Sequence, residues 1–185
     1  MTRPTVRAAL VVAALVVAAL VAGCGIGANG SPASFAPPNV GPSATVTGAT
    51  AQTRGEIASA LASVPSGIQF GDATRPYRPP ESGRLRDAAR AVYQVVLPEQ
   101  PDGGYIVVYE FPDAAAAVDA GNEEAGYLGT GPARVNCPRD APHVLRQLGP
   151  TLVLFTWSPS DPAATAEGDV AAALGRLGIG FSVPN

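Results

Sequence analysis

The feature that most constrains this chain is an uninterrupted apolar run near its start. The run, Ala8–Ala22, reads AALVVAALVVAALVA and follows a short segment that carries Arg3 and Arg7. A basic start followed by an apolar stretch and small residues is typical of an export signal. As a helix the run would be about 22 Å long, whereas the hydrocarbon core of a bilayer is about 30 Å thick. We therefore expect a signal peptide here rather than a plain membrane-spanning helix.

The apolar run ends in Val21, Ala22, Gly23 and Cys24. These residues resemble the lipobox of bacterial lipoprotein precursors, in which a branched residue and two small residues precede an obligatory Cys. The resemblance covers only residues 1–24. It implies that a diacylglyceryl group is attached to the sulfur of Cys24 and that a type II signal peptidase cuts between Gly23 and Cys24. Acyl chains such as palmitate would then hold the protein on the extracytoplasmic side of the cell membrane.

An uncleaved helix is the alternative to this interpretation. If Gly and Cys count as apolar, the uncharged run extends over 21 residues, from Ala8 to Ala28, which is long enough to span a bilayer. Both interpretations attach the protein to a membrane, and they differ in whether Cys24 is modified. The choice between a plasma membrane and an outer membrane stays open.

Residues 25–50 are predicted to be a linker. They contain five Gly, four Pro and no charged residue, so they can bury too little apolar surface to offset the entropy lost on ordering. The chain is therefore predicted to consist of a signal peptide (1–23), the lipidated Cys24 with its linker (24–50), and one globular domain (51–185).

The domain is predicted to belong to the α+β class. Thr53 and Glu56 match a capping box that would start a short helix ending near Val64. Two pairs of apolar, β-branched and aromatic segments follow, each separated by a turn signal. We predict one hairpin from strands 91–97 and 105–111, and a second from strands 143–148 and 151–157.

Each predicted hairpin is followed by an Ala-rich segment that begins with an Asp suited to the N-cap position. Asp113 would cap a helix over 114–128, and Asp161, with Pro162, would start a final helix that buries Val170, Leu174 and Leu177. The pattern predicts a duplicated ββα unit. The expected architecture is a four-stranded, mainly antiparallel sheet with two helices on one face, plus the short N-terminal helix. Its strand aromatics are expected in the core.

Residues suited to catalysis or metal binding are few. His143 is the only His, and Cys137 is the only thiol left once Cys24 is alkylated. One His and one thiol cannot complete a tetrahedral zinc site without carboxylates, so no metal or other cofactor is expected. The formal net charge of -3 argues against a nucleic-acid partner.

The most unusual stretch of the domain is Arg75–Arg90, RPYRPPESGRLRDAAR. Guanidinium groups suit phosphate and carboxylate, so an anionic partner such as a lipid headgroup or a wall polymer could contact the first four arginines, namely Arg75, Arg78, Arg84 and Arg86. The alternative is a semi-rigid loop laid across the sheet, with its arginines paired to acids of the domain.

These observations favour a non-enzymatic, membrane-anchored lipoprotein whose domain binds or supports another component of the cell envelope. One alternative is an envelope hydrolase that uses carboxylates, although Asp119, Glu123 and Glu124 are expected on the solvated side of their helix. The other is a structural or assembly subunit, for example a homodimer formed through an exposed sheet.

Overall fold

A computed structural model describes residues 47–65, 68–98, 101, 104–130, 133, 143–156 and 165–184. All of them belong to one compact unit, Val40–Asn185. The predicted signal peptide, the cleavage site at Gly23 and Cys24, most of the linker, Cys137, Trp157, Asp161 and Pro162 lie outside the described residues.

The described residues form four helices and one antiparallel sheet of six strands. In chain order the elements are α1 (Gly48–Leu61), β1 (Gln69–Asp72), α2 (Gly83–Asp87), β2 (Ala89–Val96), β3 (Gly104–Glu110), α3 (Ala114–Gly129), β4 (His143–Leu148), β5 (Thr151–Thr156), α4 (Thr165–Leu174) and β6 (Ile179–Gly180). The strand order across the sheet is β1-β2-β3-β5-β4-β6.

The α+β class agrees with the prediction, but the four-stranded sheet is wrong. Both predicted hairpins are present, with Val95 opposite Gly104 in the first and His143 opposite Thr156 in the second. The sheet gains β1 and β6 at its edges, where they pair with β2 and β4. These strands are four and two residues long, too short to show the alternation by which a strand is recognised in a sequence.

The predicted placement of both helices on one face of the sheet is also wrong. One face, the α1/α4 face, packs the side chains of Tyr93, Val95, Ile106, Val108, Val153 and Phe155 against α1 and α4. The other, the α3 face, packs Val107, Tyr109, Leu145, Leu152 and Leu154 against α2 and α3. The reason is visible in β3 and β5, which are apolar at nearly every position and buried along almost their whole length. Because successive side chains of a strand point to opposite faces, such runs need cover on both sides.

Helix α1 begins earlier than the capping box suggested. Its N-cap is Thr47, whose hydroxyl accepts from Thr50 N at 3.3 Å. Thr53 lies inside the helix, buried, with its hydroxyl 2.7 Å from that of Thr151. The carboxylate of Glu110 accepts hydrogen bonds from the hydroxyls of Thr47 and Thr50, and a negative charge stabilises a helix N-terminus. The tertiary partner Glu110 therefore helps to fix the first turn of α1.

Helix α3 begins as predicted, at the Asp113 cap. The carboxylate of Asp113 accepts a hydrogen bond from Ala116 N at 2.8 Å, which satisfies one of the free N–H groups of the first turn. The final helix, α4, buries Val170 and Leu174, as predicted, but it ends at Leu174, so the prediction for Leu177 is wrong: this residue lies beyond the helix and is half-buried.

We expect Asp113→Ala to lower the free energy of unfolding by about 1 kcal/mol, because the cap hydrogen bond is lost. Chemical denaturation followed by far-UV circular dichroism measures this change. Asp119→Ala is the control, since Asp119 is an exposed acid on the same helix, and it should change the stability by less than about 0.5 kcal/mol. Equal stability of the two variants would contradict the capping role.

Candidate functional site

The Arg-rich segment lies across the α3 face of the sheet. The ring of Tyr77 stacks on that of Tyr105, with centroids 4.3 Å apart and planes 7° apart. Pro79 is buried, and Leu85 of α2 is fully buried in the core of this face. The segment is therefore a packed part of the fold.

A buried carboxylate, Glu81, is the centre of a polar cluster beneath this segment. It accepts hydrogen bonds from Arg78 Nε at 2.6 Å, from Arg90 Nη1 at 2.8 Å and from the Tyr109 hydroxyl at 2.8 Å. The side chains of Glu81 and Arg90 are 2% and 5% exposed. Charge-assisted hydrogen bonds of this kind are about twice as strong as neutral ones. We call Glu81, Arg78, Arg90 and Tyr109 the Glu81 cluster.

The sheet register brings the donors of this cluster together. Arg90 on β2 is the direct partner of Tyr109 on β3, so their side chains leave the same face. Burial raises the pKa of the Tyr109 phenol far above its ordinary value, and the charge and hydrogen bond of Glu81 raise it further. Tyr109 therefore remains protonated at neutral pH and donates its hydrogen bond to Glu81.

A second buried carboxyl, Glu124 of α3, lies beside the cluster. Glu124 was predicted on the solvated side of the helix, and this prediction is wrong, because the residue is 0% exposed. Its Oε2 accepts from Ser82 N at 2.8 Å, whereas its Oε1 and the Ser82 hydroxyl have no hydrogen-bond partner within the described residues. Burial raises the pKa of Glu124, the hydrogen bond from Ser82 N opposes this, and the charges of Glu81 and Glu123 add to the rise.

The other arginines of the segment are placed differently. Arg84 Nε donates to Glu123 Oε2 at 2.8 Å on the exposed side of α3. Arg75 and Arg86 have exposed side chains. Arg78, Arg84 and Arg90 are thus paired with acids of the domain, as the alternative interpretation of the segment expected. Contact of Arg75 or Arg86 with an anionic partner stays a prediction.

The structure describes only one of the two residues suited to catalysis or metal binding, His143. His143 Nδ1 lies 3.0 Å from the Thr156 hydroxyl, and burial lowers the pKa of the imidazole. Cys137 lies outside the described residues. Within the described part of the chain, no group of three or more His, Cys, Asp or Glu residues is arranged to hold a metal ion.

A groove of about 430 Å³, lined by both polar and apolar residues, opens between α1 on one side and the β4–β5 turn with the start of β6 on the other. Gln52 and Glu56 of α1 form one wall, and Gln147, Pro150 and Ile179 belong to the other. Small-molecule sites commonly have about 300–1,000 Å³. The groove therefore has room for a small ligand, and its one carboxylate, Glu56, accepts a hydrogen bond from Gln52 Nε2 at 3.1 Å.

Sequence reasoning pointed to the Arg-rich segment but missed Glu81 as its centre. A usable signal was present, because Glu81 is the only acid between Asp72 and Asp87, in a stretch that holds four arginines. The groove beside α1 could not be recognised in the sequence, since its walls come from distant parts of the chain.

The Glu81 cluster holds the segment in place and neutralises charge inside the domain. Its carboxylate is occupied by three donors, so its role in the fold is structural.

Among the described residues, no helix is long and apolar enough to cross a membrane. Comparison of the chain with protein-family models, curated proteins and solved structures found no match.

Proposed function

We propose that this protein is an exported lipoprotein, anchored through Cys24 on the extracytoplasmic side of a cell membrane, and that its domain is a non-enzymatic binding or accessory module of the cell envelope. The observation that carries the proposal is the sequence Val21–Cys24 directly after the apolar run. Two or three acyl chains on one residue give a long-lived attachment, whereas a single myristoyl chain binds reversibly.

The state of the acidic residues supports a non-catalytic role. A carboxylate hydrolase needs two carboxyl groups that flank a substrate, one of them free to act as an acid. Glu81 is committed to three donors and Glu123 to Arg84. Glu124 is enclosed by the α3 face. Glu81 and Glu124 are therefore closed to a substrate, and the exposed Glu123 is held by its ion pair with Arg84.

The groove between α1 and the β4–β5 turn supports a binding role. Its acid and amide side chains match the hydroxyl, amide and amino groups of cell-envelope compounds. A ligand that binds the folded domain raises its melting temperature in proportion to the logarithm of the ligand concentration. Stabilisation by such a compound, lost in Glu56→Ala, would assign the groove as the binding site.

Cys24→Ser tests the anchor, with Cys137→Ser as the matched control. We expect the wild type and Cys137→Ser to incorporate a palmitate analogue and to remain in the membrane fraction with the mass of the processed chain. Cys24→Ser should incorporate no label and keep the mass of the precursor. If Cys24→Ser matches the wild type in mass and membrane retention, the uncleaved helix is correct and the lipoprotein proposal is wrong.

A further inference from the structure

A short extended segment after β6, Phe181–Pro184, docks along helix α3. We call it the tail. The ring of Phe181 covers Gly121 so closely that a Cβ atom there would lie 2.4 Å from Phe181 Cζ. Pro184 covers Gly129 in the same way, since a Cβ atom on Gly129 would lie 2.8 Å from Pro184 Cδ. Two glycines, eight residues apart on one helix, thus form the floor of a groove that holds one aromatic ring and one proline ring.

The backbone adds little to this docking. Phe181 N donates to Leu145 O at 3.1 Å, and Val183 packs half-buried against the core of the α3 face. Within the described residues, the N–H of Val183 donates no hydrogen bond. Recognition of the tail therefore rests on the Phe and Pro rings and on an apolar side chain between them. We call the surface formed by Gly121, Gly129 and the Leu145 carbonyl the α3 groove.

The same pattern occurs once more in the chain, in the predicted linker. The tail and the residue after it read Phe181-Ser-Val-Pro-Asn185, and the linker contains Phe35-Ala-Pro-Pro-Asn39. Phe, Pro and Asn recur at the same spacing, a small residue follows each Phe, and Pro37 replaces the apolar Val183. Of the five Phe residues in the chain, only Phe35 and Phe181 are followed by Pro and Asn at these positions. Because Val183 N makes no hydrogen bond to any described residue, a proline at this position loses none of the described hydrogen bonds.

We propose that the α3 groove also binds the Phe35–Asn39 segment of a second copy of this chain, in exchange for the tail. Phe35 would take the place of Phe181 over Gly121, and Pro38 that of Pro184 over Gly129. The groove would then link copies through their linkers, and the tail would keep it closed in an isolated copy. The inference does not rest on the lipid anchor, since the fit of the groove is a property of the domain.

Reach favours a second copy over the same chain. If the segment bound as the tail does, Asn39 would lie near Gly129, the last residue of α3. This position is about 22 Å from the N-terminal end of that helix. Seven residues separate Asn39 from Thr47, so the eight Cα–Cα steps between them span at most about 28 Å. Thr47 begins α1 on the other face of the sheet, so the connection would also have to pass around the sheet. A neighbouring copy is not restricted in this way.

A labelled peptide of residues 34–40, SFAPPNV, tests the groove on the full-length chain in detergent. Phe181→Ala weakens the tail and should bind this peptide at least tenfold more tightly than the wild type does. The same peptide with Ala in place of Phe35 should bind neither protein. Absence of binding to a folded Phe181→Ala chain would overturn the proposal.

A second variant decides the question even if Phe181→Ala does not fold. Ser182→Ala combined with Val183→Pro converts the tail into the linker sequence FAPPN. We expect this double variant to keep the melting temperature of the wild type within about 3 °C, because the groove accepts both sequences. A loss of folding or a much larger drop would show that the groove does not accept the linker segment.

Self-association identifies the source of the segment. Full-length Phe181→Ala should form dimers or larger species whose fraction rises with concentration, and Phe35→Ala in the same background should abolish them. A Phe181→Ala chain that binds the peptide but stays monomeric at every concentration would overturn the assignment to a second copy.

Discussion

Glu81→Gln is expected to lower the free energy of unfolding by about 3–5 kcal/mol, the cost of removing one partner from a buried ion pair. The amide keeps the shape of the side chain and can still accept from the Tyr109 hydroxyl. It leaves the guanidinium of Arg90, only 5% exposed in its side chain, without a negative charge. Urea denaturation of the wild type and the variant at pH 7 measures the difference.

Glu123→Gln is the matched control for this prediction. Glu123 also pairs with an arginine of the same segment, Arg84, but the two side chains are 39% and 53% exposed. Exposed pairs contribute about 0–1 kcal/mol. Similar losses in the two variants would contradict the central role of Glu81. Adding Arg90→Met to Glu81→Gln should recover part of the loss, because it removes the unpaired charge.

The local features of this fold could be predicted from sequence, and the contacts between distant segments could not. The β2–β3 and β4–β5 hairpins follow from apolar runs and a turn between them, and α3 follows from Asp113. The first turn of α1 depends on Glu110, about 60 residues away, so a nearer capping box at Thr53 gave the wrong start.

The number of layers was the larger error, and its cause is physical. Strands β3 and β5 were interpreted as half-buried, with one apolar face each. Their residues are apolar on both faces, as in Ile106 and Val107, and a continuous apolar run indicates a strand covered on both sides. The two long helices after the hairpins are consequently on opposite faces, and α1 and α2 complete the cover.

The candidate site shows the same limit. The charge of the Arg-rich segment was visible, but its pairing with Glu81, and the position of Glu124 beneath it, depend on packing. Helix α3 is rich in Ala and Gly, so its buried stripe is weakly marked. Ala117, Gly121 and Leu128 lie on that stripe together with Glu124. Because two of these neighbours are small, the apolar stripe was not recognised around Glu124, and the acid was assigned to the solvated side.

Glu124→Gln is expected to make stability less sensitive to alkaline pH. The pKa of Glu124 in the folded protein is raised above its ordinary value of 4.5, chiefly by burial. The folded state therefore holds this proton more tightly than the unfolded state. The stability that results is fully present below about pH 4.5 and is lost as the pH rises through the raised pKa. Gln is neutral throughout and keeps a carbonyl oxygen for Ser82 N.

At pH 8 we therefore expect Glu124→Gln to be more stable than the wild type, because the amide carries no charge that burial penalises. The advantage should shrink as the pH falls and disappear near pH 4. Urea denaturation at pH 4, 6 and 8 measures it, with Glu123→Gln as the control for loss of an acid on the exposed side of α3. A pH-independent difference between Glu124→Gln and the wild type would show that the buried carboxyl does not cause the change of stability with pH. The amide would then be acting only through its packing against Ser82.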